Sequence, residues 1–588
     1  MIKRKIDILL SEGHGKQLAW LLIIAIVCIF IAVFIARYMF DDNTLQWQDV
    51  VGLFLDPGVF GSFSGKGHDF FRLCLALLSV FLFSALLVSV FTNVFENISV
   101  SVREGHRRYK LKNHVVILGN GYRAAGIIEA FRNTKRTVVI MSENKPDIDG
   151  KYIFYNGRRN VKEDLISANV DTADVIYILG EENESNHDAC NLQSLDLLSE
   201  LCATAKHDIH CFITVRDFST TEVFHYLKSN QSGRLLLVDV INEYEYEAEQ
   251  LLVNTDFLPI IKDESIYSQV VILGTGPIAQ AISNTVAHLS HYPNYRTKGL
   301  KSCITFIGEG MKEWKDNLIA SRPGLFELSE YVYISYDGKE ERFIPQKTND
   351  FLDIRWEFID SYAVSSLSTS YLRKMALDKS AKMTIFVCED NPQKAISTVL
   401  HLPCEVFGIN AQKDINYKYG AYNIAVYLKE STNLIDRANT SDMFGRITVF
   451  GNIKSDDLLL SKRSRFGKRV NYVYDKAYGN PPSKNEEEAW YKIPEAHKYS
   501  SIYCANAMFL RQKCFDMNAD RLPIYEAEHR RWMMSELLMG YRTGEKTDRS
   551  HFIHEDIIPF EQLTSGEQEK DKILIDAIDE ILADKFVS

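Results

Sequence analysis

Residues 114–131 read HVVILGNGYRAAGIIEAF. Val115 to Leu118 form a short, wholly apolar run of the kind that fills a strand buried on both faces, and a glycine turn and an apolar helical stretch follow at once. Gly119, Gly121 and Ala124 fit the pattern G-x-G-x-x-A. The first glycine permits a tight turn, the second lets a phosphate approach the backbone, and the small third residue lets the helix pack on the strand. The helix N-terminus then faces an anion. The next strand, TVVIMSE at 137–143, ends in Glu143, about 20 residues on, where an acid can hold a ribose hydroxyl. Strand, turn, helix and strand together predict a Rossmann unit, with NAD or an adenine nucleotide as its ligand. The same pattern also suits a lobe that is structural and empty.

Downstream, strands at YIFYNG, DVIYIL and HCFITVRD alternate with helical stretches such as NHDACNLQSLDLLSEL, which continues a doubly wound α/β pattern. Near Gln269 the unit restarts as QVVILGTGPIAQAISNTV, with Gly274, Gly276 and Ala279, and CITFIGE ends at Glu309. This second copy is less regular. Residues 310–353 interrupt it, and Pro277 lacks an amide that would otherwise bind phosphate. The reading is two tandem Rossmann-like lobes with parallel sheets, at 113–262 and 263–450.

Upstream, Leu18 to Met39 is LAWLLIIAIVCIFIAVFIARYM, and Leu73 to Val94 is LCLALLSVFLFSALLVSVFTNV. Each is long enough for a bilayer core of about 30 Å, so spans are expected at about 18–40 and 73–95. The first is too long for the apolar part of a signal peptide and lacks its small-residue cleavage site. Lys3, Arg4, Lys5 and Lys16 precede the hairpin and Arg103, Arg107, Arg108, Lys110 and Lys112 follow it, whereas the connection holds Asp41, Asp42, Asp49 and Asp56. The positive-inside rule then places both termini in the cytoplasm, for a multi-pass protein of the cell (inner) membrane. The connecting residues, about 45–67, include LQWQDVVGLFL and DPGVFGSFSGKG. A short helix re-entering the membrane and ending at Asp56, Pro57 and Gly58 would make a pore loop. An ordinary extracellular loop fits the same residues. The membrane region is 1–112.

The formal charge of -11 over 588 residues excludes a general nucleic-acid binder, which needs a net basic face. Ten scattered cysteines with no CxxC pair read as buried thiols in a reducing compartment, and no metal site is expected of them. Toward the C-terminus, at 451–588, the chain is mostly helical. His529, Arg530, Arg531 and Trp532 lie on one short stretch, and Tyr541, Arg542, Lys546 and Arg549 follow around a glycine-containing turn. Such a set suits stacking on a base and pairing with phosphate. Equally, Trp532 and Tyr541 are core and the charges a solvated face.

The FLDPG loop, the run SVREGHRRYKLKNHVVILGNG and the stretch YNGRRNVKEDLISANVDTADVIYIL resemble potassium-channel subunits that carry RCK (TrkA-N-type) domains, especially the CASTOR/POLLUX type. Two departures matter. No TVGYG filter is present, so potassium selectivity is not implied, and Arg158 stands where many RCK lobes have an acid, which would favour extra negative charge on the ligand. The C-terminal part is similar to the ryanodine-receptor repeat (RyR) domain through Tyr478, Trp490, His529, Trp532, Gly540, Tyr541, Gly544, His554, Pro559, Leu563 and Asp571. That resemblance implies a nucleotide-derived ligand, such as a cyclic ADP-ribose-like or cyclic nucleotide signal, held by Trp490, His529, Arg531, Trp532, Tyr541 and Arg542.

The function expected is a ligand-gated, cation-conducting channel and a homo-oligomer, four subunits around one pore, with bacterial antiphage defence as an extension by analogy. No nucleophile-base pair or metal cluster marks an enzyme. The rivals are a membrane-anchored NAD-dependent enzyme and a non-conducting, membrane-tethered nucleotide sensor.

Overall fold

The computed structural model describes residues 14–39, 47–48, 51–52, 69–121, 123–226, 235–253, 255–262, 264–408, 420–429, 447–451, 463–517 and 519–583. The chain divides into two compact units, Met1–Arg108 and Tyr109–Ser588. The first holds two helices that pack on each other, α1 (His14–Met39) and α2 (Asp69–Arg103). Their 26 and 35 residues extend about 39 and 52 Å at 1.5 Å per residue. Large apolar side chains stand exposed along both, among them Ile23, Phe30 and Phe34 on α1 and Leu77, Phe81 and Phe91 on α2. Among the described residues no helix is long and apolar enough to cross a membrane. The side chains from His14 to Leu22, and many between Leu75 and Val90, lie outside that description, as do Asp56, Pro57 and Gly58 of the expected pore loop.

In the second unit the first lobe is a six-stranded sheet of β1 (Val115–Leu118), β2 (Val138–Ser142), β3 (Ile153–Asn156), β4 (Val175–Ile178), β5 (Ile209–Val215) and β6 (Leu236–Asn242). The strand order is β3-β2-β1-β4-β5-β6 and every pairing is parallel. This is the doubly wound order, whose ligand crevice opens where β1 and β4 diverge in direction of winding. The sequence explains it locally: Val115 to Leu118 are buried throughout, because helices such as α3 (Ala124–Phe131) cover the sheet.

The second lobe repeats the plan with two strands added. Its strands are β7 (Tyr267–Leu273), β8 (Ser302–Gly308), β9 (Tyr331–Ile334), β10 (Glu340–Phe343), β11 (Ile354–Asp360), β12 (Ala381–Val387), β13 (Asn423–Tyr427) and β14 (Ile447–Phe450), in the order β10-β9-β11-β8-β7-β12-β13-β14. From β11 to β14 all pairings are parallel and match the first lobe strand for strand. The residues read from sequence as an interruption supply β9, parallel to β11, and β10, which turns back antiparallel at the edge.

Two helices connect the lobes: α4 (Glu243–Leu252) ends the first and α5 (Pro277–Leu289) follows the glycine turn of the second. The C-terminal part is helical, with α6 (Arg465–Tyr478), α7 (Glu486–Lys492), α8 (Glu495–Cys514), α9 (Leu522–Leu538) and α10 (Ser565–Asp576). Between α9 and α10 lies a two-stranded ladder, β15 (Arg542–Thr543) and β16 (Ile553–His554). This part has a cluster of its own, Val470 and Val473 of α6 with Cys504 and Met508 of α8 and Ile578 and Ile581 beyond α10, and it shares a second one with the lobes. Tyr499 and Tyr503 of α8 and Met533 and Leu537 of α9 share one buried cluster with Leu251 of α4 and Ile278 and Ile282 of α5.

Candidate functional site: two glycine turns and a C-terminal cavity

At the first turn Gly119 has φ +99°, and a Cβ there would lie 2.2 Å from the Gly180 carbonyl oxygen. Only glycine fits that left-handed backbone and that close approach. The turn's amides already have partners within the chain. Gly119 N–H donates to the Met141 carbonyl at 2.8 Å, Gly121 N–H to the Gly180 carbonyl at 2.9 Å, and Asn120 N–H to Glu181 Oε2 at 3.2 Å. Ala124 is buried at the start of α3. Glu143 stands past the end of β2, and its carboxylate lies 2.9 Å from Arg158 Nε. The structure therefore brings these two predicted residues together as an ion pair. With 57% and 64% of the side chains exposed, that pair contributes about 1 kcal/mol or less. Around it, Arg159 pairs with Glu184, and Arg216 Nε with Glu243 at 2.7 Å. The sequence reading passed over Glu181, Glu182 and Glu184, although three acids just after β4, at the crevice, are a signal in themselves.

The second turn is built alike. Gly274 has φ +123°, and its Cβ would meet the Cys388 carbonyl oxygen at 2.4 Å. Gly276 caps α5, Pro277 opens it, and Ala279 is buried in its first turn. A Cβ on Gly276 would lie 2.7 Å from Asp390 Oδ1, so a carboxylate again sits on the turn. Burial raises the Asp390 carboxyl above its ordinary range, with Lys429 opposing. Leu118 pairs with Ile178 in the first lobe and Leu273 with Val387 in the second. Glu181 and Asp390 each follow three residues after that partner, so they are equivalent positions of the repeat. Glu309 stands beyond β8 and pairs with Lys394 at 3.2 Å, which also holds Glu389 at 3.0 Å.

The C-terminal helices enclose a cavity of about 220 Å³ between α6, α8, α9, α10 and the turn after β15. His529, Arg531 and Trp532, all predicted, line it. Arg531 is buried and gripped by Glu528, with Nη2 at 2.8 Å and Nε at 3.0 Å from the same oxygen, while Nη1 donates to Ser535 Oγ at 2.8 Å. Burial alone would push the Glu528 carboxyl up; Arg531 and Arg511 more than offset that and hold it at about 2. The two ring nitrogens of His529 face the Asp571 carboxylate at 3.1 Å and the Ile558 carbonyl at 2.8 Å. The Trp532 ring stacks on His529 at 5.5 Å and meets His554 edge-on at 4.9 Å. Glu536, also in the wall, is pushed to about 7 by burial, opposed by Arg549 and Arg531.

Three predicted ligand residues stand elsewhere. Trp490 is buried against the first lobe, its indole N–H donating to Asp239 Oδ1 at 2.9 Å beside the Tyr491 hydroxyl, which donates to Oδ2 at 2.8 Å. A large ring with one donor is best satisfied at such a polar seam. Tyr541 is buried, ring edge to Phe552 at 5.5 Å, and Arg542 points out from β15. In their place His497, Lys570, Tyr474 and Arg549 line the cavity. A second gap, between α8 and the first lobe near Glu245 and Arg463, holds only about 30 Å³, room for a water. Among the described residues no group of three or more His, Cys, Asp or Glu side chains is arranged to hold a metal ion.

Among solved structures the chain is similar to GsuK bound to ADP, with 14% identity, TM-score 0.37, and 76% of this chain and 100% of that one covered. It is also similar to the GsuK channel bound to NAD, at 11% identity, TM-score 0.38 and coverages of 76% and 82%. The human SLO3 gating ring gives 12%, 0.34, 60% and 82%. No protein-family model and no curated protein matches the chain.

Proposed function

We propose that the chain is one subunit of a ligand-gated ion channel. In this reading α1 and α2 are the membrane hairpin, residues 45–67 the cation-conducting loop, and the C-terminal cavity the sensor of a nucleotide-derived signal. The carrying observation is the double use of α8 and α9. On α9, Arg531 and Trp532 face the cavity, while the adjacent Arg530 donates to Asp353 of the second lobe at 2.9 Å. On α8, Ser500 and Cys504 face the cavity, while Lys498 donates to the Val238 carbonyl of the first lobe at 3.0 Å and Tyr503 stacks on His288 of α5 at 3.8 Å. A ligand that prefers one setting of these helices therefore biases both lobes, and through residues 104–112 the second span. A ligand with equal affinity for both settings shifts nothing.

The ligand is of the cyclic ADP-ribose or cyclic-nucleotide kind, with NAD or an adenine nucleotide as a second effector in the lobes. Four subunits form a closed ring, because one two-helix subunit cannot enclose a pore. The protein belongs in the inner membrane with both termini cytoplasmic, acts by binding rather than by catalysis, and fits a bacterial antiphage response in which an infection-made nucleotide opens the pore.

The test is ion flux from liposomes carrying the purified protein, with NAD, ADP, cyclic AMP or cyclic ADP-ribose added, alongside the mass of the detergent-solubilised particle. Flux that rises with one of these ligands, from a particle of four chains, is expected. A monomeric particle with no flux under any ligand would sink the channel reading. Ligand binding without flux would instead leave the tethered sensor.

A further inference from the structure

We infer that Arg549 is the residue that takes the anionic group of the cavity's ligand, a phosphate-bearing nucleotide, and that Arg531 is not. This rests on the reading of the cavity as the sensor.

Three cationic side chains line the cavity: Arg531, Lys570 and Arg549. Arg531 is committed, since its Nε and Nη2 both donate to Glu528 and its Nη1 to Ser535 and Ser500. It lies on the same turn of α9 as Glu528, and the pair is buried, so the charge is cancelled where a ligand would meet it. Lys570 pairs with Glu567, three residues earlier on α10. Arg549 differs. Its Nη1 lies 2.9 Å from His497 Nε2, and among the described residues it has no carboxylate within ion-pair distance. A guanidinium carries five N–H donors, and this bond uses one of them.

The identity of that partner decides the chemistry. Burial, together with the charge of Arg549, pushes the His497 imidazole down to about 4, so it is a neutral acceptor. It fixes the direction of the guanidinium without cancelling its charge. The turn beneath Arg549 is itself fixed: Asp548 N–H donates to the Ile553 carbonyl at 3.0 Å, and Ser550 N–H to Asp548 Oδ1 at 3.0 Å. An oriented, charged fork at the mouth of an aromatic-lined cavity matches a phosphate. Trp532 and Tyr474 line the same cavity and would take an apolar or aromatic ring.

Calorimetry on the full chain in detergent, with AMP, ADP, NAD and cyclic ADP-ribose as probes, tests this. Arg549→Gln should weaken the tightest-binding probe about tenfold to a hundredfold, the loss of one charge-assisted contact. Arg549→Lys, which keeps the charge, should recover part of that affinity. Unchanged thermal unfolding of both variants would show that the turn is intact. If the wild type binds a probe and Arg549→Gln binds it equally well, the anion is held elsewhere and the inference is wrong. If the wild type binds none of the four, the sensor reading fails and takes the assignment of Arg549 with it.

Discussion

At the glycine turn of the first lobe, Gly119, Asn120 and Gly121 all donate their amides within the chain, and one acceptor is the Glu181 carboxylate. In the second lobe Asp390 stands at the equivalent place. In the C-terminal cavity the arrangement is inverted: Arg549 is held by an imidazole that carries no charge. A phosphate arriving at either turn must displace or face an acid of the protein itself. A phosphate arriving at Arg549 meets an oriented cation. The Rossmann pattern describes a backbone shape that suits an anion, and in this chain the protein supplies its own anion to that shape.

The strongest way to break the comparison is at Gly119. A Gly119→Val substitution puts a β-branched side chain at φ +99°, with its Cβ 2.2 Å from a backbone oxygen. Strain of this kind costs about 1–3 kcal/mol before the clash is counted, so a loss of more than about 4 kcal/mol in chemical unfolding is expected. A loss under 1 kcal/mol would mean that the turn does not sit on Gly180, and the account of its spoken-for amides would collapse.

A second, smaller effect tests whether the cavity reports to the second lobe. Asp353 is buried and accepts from both Arg530 Nε at 2.9 Å and His291 Nδ1 at 2.9 Å. Burial alone would raise its carboxyl, but His291 and Arg530 overcome that and hold it at about 2, below the ordinary 3.8. The folded value is thus depressed. The linked stability, roughly 2 kcal/mol, is present above pH 4 and lost as pH falls toward about 2. Asp353→Asn leaves Arg530 without its counter-charge and should cost about 3 kcal/mol. It should also flatten the acid limb of the wild-type stability curve. If the variant kept both the stability and the acid limb, Arg530 would not couple α9 to the lobe.

What the sequence disclosed follows the range of the forces involved. The two parallel sheets were legible because buried strands such as VVIL and VVILG turns are set by neighbours in the chain. The strands β9 and β10 were not, since Tyr331–Ile334 is placed in the sheet by β11, about 25 residues on, and Glu340–Phe343, with four exposed residues, pairs only with β9 at the sheet edge. His529, Arg531 and Trp532 were found in the cavity wall. Which cation keeps its charge there was only half legible: Glu528 lies one turn before Arg531 and was a visible signal, whereas His497 and Arg549 are 52 residues apart. Trp490 illustrates the limit. Its partner Asp239 is 251 residues away, and no local pattern separates a docking tryptophan from a stacking one.

The finest test sharpens the comparison from the side of the lobes. Glu181→Gln keeps an acceptor for the Asn120 amide, because the side-chain amide oxygen replaces the carboxylate oxygen, but it removes the charge. The turn should hold its shape, and the pyrophosphate of a dinucleotide would no longer face a fixed negative group. With binding at the C-terminal cavity weakened by Arg549→Gln in both chains, calorimetry with ADP and NAD should show binding about tenfold tighter in the Glu181→Gln chain, which is about 1.4 kcal/mol. Asp390→Asn should give less in the second lobe, where Pro277 offers no amide at the start of α5. Equal affinity with and without the Glu181 charge would show that the acid is not a rival of the phosphate. The two regions would then differ in the cation at Arg549 alone.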